Sequence, residues 1–133
     1  MFEFVFNAFV IVTVCYWSFI YPEHWIPFHI DLNIHLINTI ILLIDLFVCR
    51  FPVRLLHVVY SQAYGLVYLI FSLAYWAMDP PRNIIYPKLL DWNEPLLPLL
   101  VTLGLFFLVT PSVQGIMFIL YRIKVAIYNN IYL

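Results

Sequence analysis

The segment DLNIHLINTIILLIDL, residues 31–46, carries ionisable side chains inside a stretch that is otherwise apolar. On a helix that turns about 100° per residue, four of its polar residues fall within a sector roughly 80° wide. They are Asp31, His35, Asn38 and Asp45. Imidazole exchanges a proton near neutral pH, and a carboxylate one turn away can orient it or stabilise its charge. This polar stripe is suited either to acid–base chemistry or to hydrogen bonding between helices.

A second polar stripe occurs at helical spacing later in the chain, between residues 57 and 72. Its members are His57, Ser61, Tyr64, Tyr68 and Ser72, with Gly65 beside them. Ser61 and Gly65 form a pair of small residues four positions apart, a spacing that lets two membrane helices approach closely. Because charged and polar groups are costly in lipid, we expect both stripes to face the inside of a helix bundle.

The two stripes are separated by a short, proline-containing turn, so we predict that their helices pack as an antiparallel hairpin. This hairpin would place Asp45 near His57 or Ser61 at one end. It would place His35 near Tyr68 or Ser72 at the other end. The double substitution Asp45→Leu and His57→Leu is then expected to be non-additive in stability.

The polar residues have a structural interpretation, interhelical hydrogen bonding, and a functional one, a buried site. The expected interhelical network consists of Asp31, Asn38, Asp45, His57, Ser61 and Tyr68. His35 is the candidate catalytic residue. Asp31 and Asp45 would lie about 21 Å apart at 1.5 Å per residue, so the two carboxylates cannot share one ion. We expect neither a metal nor a cofactor.

The composition excludes a soluble domain, because charged residues are too few to cover the surface of a globule. Hydrophobic residues make up 65% of the 133 residues, charged residues 10%, and the mean hydropathy is +0.99. The formal net charge of -1 and the lack of a basic stripe argue against nucleic acid as a partner. The expected partner is the lipid bilayer, and other membrane proteins are further candidates.

Four stretches are long and apolar enough to cross a bilayer, which takes about 20 residues in a helix. We predict spans at about 4–21, 31–49, 54–78 and 96–121, forming an all-α, multi-pass bundle with one domain over 1–133. Pro111 lies inside the last span and is expected to kink it, freeing a carbonyl that Thr110, Ser112 or water could satisfy.

Basic residues near the span ends predict the orientation. Arg50, Arg54, Arg122 and Lys124 fall on the side of the amino terminus, against Arg82 and Lys88 on the other. Both termini should therefore be cytoplasmic, in the plasma membrane or the endoplasmic reticulum. The tyrosines and tryptophans near the opposite face, Tyr16 and Trp25 among them, are expected to form an interfacial belt.

Three stretches resemble one known family. They are FPVRLLHVVYSQAYGLVYLIFSLAYW (residues 51–76), IIYPKLLDW (residues 84–92) and residues 31–46. Together they resemble the rolling stone family of multi-pass membrane proteins. The resemblance implies a role in cell–cell fusion, specifically of myoblasts.

A more distant similarity reaches the androgen-induced family of membrane lipid hydrolases, which use an intramembrane threonine and histidine. It implies a catalytic role for His35 and places the family's carboxylate on Asp45. Leu32 and Leu36 stand where that family has a histidine and a threonine, and its nucleophilic threonine belongs to an upstream span. The chain thus looks like the last four of about six spans, truncated at the amino end. We expect no ester hydrolysis by this chain alone.

A transporter is a third, weaker interpretation, since no matching pair of broken helices is visible.

Overall fold

A computed structural model describes residues 2–21, 27–80, 82–87 and 89–132. These residues form helices and connecting turns, with no β-strand among them. Helix α1 is Phe2–Ile20, α2 is Phe28–Val48 and α3 is Leu55–Met78. Helix α4 begins at Leu96, and its last segment ends at Tyr132. All four are long and apolar enough to cross a membrane. The predicted all-α, multi-pass architecture is confirmed.

Helix α4 continues well past Tyr121, where the sequence predicted that the last span would end. Arg122 and Lys124 mark the end of the apolar stretch, but a helix need not end at a membrane surface. Lys124 has a structural task there. Its Nζ donates hydrogen bonds to the backbone carbonyls of Leu46, at 2.7 Å, and Cys49. A cation at these last carbonyls also complements the helix dipole of α2.

Helix α1 lies at the centre of the bundle and packs against α2, α3 and α4. By contrast, α2 and α3 have little contact with each other, although only a short connection joins them. The predicted hairpin packing of these two helices is therefore wrong. A short connection keeps two helix ends close, but it does not decide which faces meet.

The packed core lies between α1, the end of α2 and the second half of α4. It consists of Phe6, Leu46, Val53, Val113 and Met117. Most other large apolar side chains on the four helices point outward and are exposed. This is the pattern of a bundle whose solvent is lipid, where packing and polar contacts rather than apolar burial hold helices together.

The helices are interrupted by π-helical turns, and the described residues contain three of them. These are Tyr16–Ile20, Asn33–Ile37 and Leu105–Val109. The third ends at Val109, two residues before Pro111, which has no backbone N–H to donate. The hydroxyl of Thr110 donates to the Leu105 carbonyl at 2.7 Å, and Gln62 of α3 donates to the Phe106 carbonyl at 3.0 Å. Side chains thus satisfy carbonyls of the irregular turn.

Two neighbouring residues of α4 test this packing. Met117 is 0% exposed, whereas Ile116 is 57% exposed. We expect Met117→Ala to lower the free energy of unfolding by about 2 kcal/mol, which is the low end for such truncations. The loss is small because an apolar side chain gains little when it moves from lipid into the bundle interior. Ile116→Ala should change it by a few tenths at most. Unfolding by SDS titration in mixed micelles measures both, and equal losses would contradict the core assignment.

Candidate functional site

The carboxylate of Glu3, in the first turn of α1, is only 6% exposed and is the centre of a polar network. Gln114 of α4 donates from Nε2 to Glu3 Oε2 at 2.6 Å. His57, at the start of α3, donates from Nδ1 to Glu3 Oε1 at 2.7 Å. The backbone N–H of Arg54 lies 3.3 Å from both carboxylate oxygens. Burial of a charge is tolerable only with such partners.

Asn7 extends the network one helical turn further along α1, where it is 0% exposed. Its Nδ2 donates to Gln114 Oε1 at 2.6 Å and to Ser61 Oγ at 2.9 Å. Gln114 also donates to the carbonyl of Arg54 at 2.8 Å. The network therefore ties α1, α3 and α4 together at the end of the bundle that carries the amino terminus.

His57 and Ser61 were predicted to be interhelical residues, and both lie in this network. The partner of His57 is Glu3, whereas the sequence had suggested Asp45. The reason is that α1 packs against both α2 and α3, while those two helices have little contact with each other. Sequence reasoning did not select Glu3, Asn7 or Gln114. Glu3 and Asn7 could have been recognised from the sequence, because they are an acid and an amide four residues apart in an apolar span. That spacing puts both side chains on one face of the helix.

A cavity of about 550 Å³ occupies the space between the helices and extends toward the opposite end of the bundle. Each of the π-helical turns contributes to its wall: Tyr16 and Ile20 from the first, His35 from the second, and Leu105 and Phe106 from the third. The remaining lining is mostly aliphatic and aromatic, with hydroxyls from Tyr68 and Thr102 among it. The cavity is suited to an apolar ligand that carries a few polar atoms.

His35 lies at this cavity with its ring stacked on that of Tyr16, the centroids 3.6 Å apart and the planes 10° apart. Tyr16 is 4% exposed, so its ring faces the interior of the bundle. Tyr16 also interacts with the carboxylate of Asp31, which is 0% exposed. Imidazole, phenol and carboxylate thus form one cluster at the cavity wall.

The hydroxyl of Thr13 is used structurally beside this cluster. It donates to the backbone carbonyl of His35 and lies 2.7 Å from the hydroxyl of Thr39. A nucleophile needs hydrogen-bond reach of the imidazole of its base, and this hydroxyl is directed to the backbone of His35. These contacts join α1 to the irregular turn of α2.

The other predicted polar residues are Asn38 and Asp45 on α2 and Tyr68 on α3. Asn38 donates to the carbonyl of Ile34 on its own helix at 3.2 Å. The side chain of Asp45 is half-buried near the end of α2. Tyr68 lines the cavity, as His35 does. Among the described residues, no group of three or more His, Cys, Asp or Glu side chains is placed to hold a metal ion.

The connection between α3 and α4 folds back against the end of α3. Trp92 donates from its indole N–H to Ser72 Oγ at 3.2 Å, and Ser72 is 2% exposed. This placement brings Tyr86, Leu89 and Leu90 to the cavity wall. Two residues used in the orientation and belt predictions, Lys88 and Trp25, lie outside the described residues.

Comparisons with known proteins identify one family. A family model described as "Protein rolling stone" matches residues 1–132. The protein rolling stone of Drosophila melanogaster is 30% identical over 122 residues, covering 86% of this chain and 44% of the relative. The chain therefore spans less than half the length of that relative. No solved structure matches the chain.

The contact between Glu3 and His57 can be measured with a double-mutant cycle. We expect Glu3→Met and His57→Leu to be non-additive, with a coupling of about 0.6 to 1.7 kcal/mol, the range found for interhelical bonds in membranes. Asp45→Leu with His57→Leu is the matched cycle and should be additive within about 0.3 kcal/mol. The observable is again the free energy of unfolding. Coupling of His57 to Asp45 and not to Glu3 would contradict the network.

Proposed function

The chain belongs to the rolling stone family, and from that premise we propose that it acts in cell–cell fusion of the myoblast type. The single observation that carries the proposal is the family match over residues 1–132. The Drosophila relative is more than twice as long as the part that matches this chain. A role of the whole relative is therefore extended to this chain only as a proposal. The four apolar helices support a role inside the membrane that fuses.

For such a role we place the protein in the plasma membrane with both termini in the cytoplasm. The distribution of basic residues supports this orientation. The contact of Glu3 with His57, and that of Lys124 with Leu46, support placing the amino-terminal end and the late part of α4 at one end of the bundle. Arg50, Arg54 and Arg122 belong to that end as well.

A fusion assay with two differently labelled populations of muscle-forming cells tests the proposal. Removal of the chain should lower mixing of cell contents, and re-expression should restore it. The same chain with a retrieval signal that holds it in the endoplasmic reticulum should fail to restore mixing, because fusion takes place between plasma membranes. Full mixing without the chain, or rescue by the retained form, would contradict action at the cell surface.

An intramembrane lipid esterase is the second candidate, and the placement of His35 at the 550 Å³ cavity is the observation that favours it. An acyl chain fits the apolar wall, and the ester carbonyl could lie near the imidazole. The hydroxyl of Thr13 donates to the carbonyl of His35, so it is not placed as the nucleophile. We therefore propose that this chain can hold a fatty acid ester but does not cleave it by itself.

Two glycines allow a controlled test of ligand entry. An added Cβ at Gly65 or at Gly115 would meet no atom within 4 Å beyond its chain neighbours and the nearby backbone of its own helix, but of these two glycines only Gly65 lines the cavity. We expect Gly65→Leu to reduce crosslinking of a photoreactive fatty acid ester several-fold and Gly115→Leu to leave it unchanged. A fluorophosphonate probe should label neither the parent chain nor the His35→Ala variant.

Equal crosslinking in both leucine variants would place the ester outside the cavity. Fluorophosphonate labelling of the parent chain that is lost in His35→Ala would instead establish an esterase. It would overturn the expectation that this chain lacks a nucleophile.

A further inference from the structure

A groove distinct from the cavity lies at the end of the bundle that carries the amino terminus. It is formed between the end of α2 and the last part of α4. Its volume is about 470 Å³. The residues that define this basic groove are Phe47, Arg50, Lys124, Ile127, Tyr128 and Ile131. We propose that the basic groove binds an anionic phospholipid, with its phosphate between Arg50 and Lys124 and an acyl chain against the apolar wall.

The depth of the groove suits a lipid headgroup. Arg50 follows α2 directly after its apolar stretch, and Lys124 is held at the same level by its bonds to Leu46 and Cys49. Charged residues that end an apolar span, together with tyrosine, are typical of the membrane–water interface. Because α4 continues beyond Lys124, its later residues add an apolar wall beside the two cations.

The charges of the groove are available to a ligand. The guanidinium carbon of Arg50 lies 5.9 Å from the ring centroid of Tyr128, which leaves its N–H groups able to reach an anion. Lys124 uses two N–H donors on carbonyls, and an ammonium has three. The ion pairs among the described residues are His57–Glu3 and Arg82–Asp79, so none of the carboxylates described there pairs with either groove cation.

The combination of cations and apolar wall selects a phospholipid over a free anion. The planar guanidinium of arginine can donate two parallel hydrogen bonds to two oxygens of one phosphate, and lysine adds a point charge. Inorganic phosphate would use these cations but leave Phe47, Ile127 and Ile131 without a ligand. Basic pockets between membrane helices at the interface are known to hold anionic headgroups. Two cations also discriminate against phosphatidylcholine, whose headgroup has no net charge, in favour of a headgroup that is negative overall.

The test uses the full chain in mixed micelles of phosphatidylcholine and phosphatidylserine, with bound lipid counted by native mass spectrometry. We expect phosphatidylserine to be retained preferentially. Arg50→Gln should weaken its apparent affinity roughly fivefold, the effect of about 1 kcal/mol for one basic residue near a membrane surface. Arg122→Gln is the matched control, since Arg122 is exposed on the same end of α4, carries the same charge and lies outside the groove.

Retention should be insensitive to millimolar inorganic phosphate. Competition by phosphate alone would identify a free-anion site and overturn the lipid assignment. An equal loss of phosphatidylserine affinity in Arg50→Gln and Arg122→Gln would show that only the general surface charge matters. That result would overturn the assignment of the lipid site to the basic groove. If Arg50→Gln does not insert, Ile131→Asn replaces it, because Ile131 is 67% exposed near the helix end. That variant should lower phosphatidylserine retention, and unchanged retention would also overturn the proposal.

Discussion

The burial of one carboxylate, that of Glu3, constrains the arrangement of three helices. A charge removed from water is costly unless hydrogen-bond donors surround it. Those donors come from His57 and the Arg54 backbone at the start of α3, and from Gln114 in the middle of α4. The depth of α3 and α4 relative to α1 is therefore fixed by the need to satisfy this group.

The same physics explains why α1 is central. In lipid, apolar side chains are as well solvated by acyl chains as by other helices, so polar bonds and close packing choose the partners. Helix α1 carries Glu3 and Asn7 for α3 and α4 at one end. It carries Thr13 for the backbone of α2 further along. Lys124 then fastens the end of α2 to α4, which completes the bundle without a direct α2–α3 interface.

The irregular turns shape the interior at the other end. A regular α-helix presents its side chains at a fixed spacing, whereas a π-helical turn inserts an extra residue and rotates the next side chains to a new face. Residues of all three such turns line the cavity, and Pro111 accounts for the one in α4. The bundle thus has a polar network at the end of Glu3, a cavity lined by irregular helix, and a basic groove beside the last turns of α4.

The sequence by itself determined the number of spanning helices and most of their ends. Length and hydropathy are sufficient for that, since a helix must bury about 20 apolar residues to cross a bilayer. Helical periodicity also placed His57 and Ser61 on one face of α3 and indicated that this face is internal. It did not reveal the end of α4, because Arg122 and Lys124 mark where the apolar stretch stops and not where the helix stops.

Only the tertiary structure decided which residues meet. Periodicity defines the direction of a face along its own helix, but it contains no information on the angular position of the neighbouring helices. Periodicity therefore could not distinguish Glu3 from Asp45 as the partner of His57, and it did not show that the ring of Tyr16 stacks on that of His35. Contacts between residues more than fifty positions apart depend on the order of helices around α1, which the whole set of polar and packing contacts determines together.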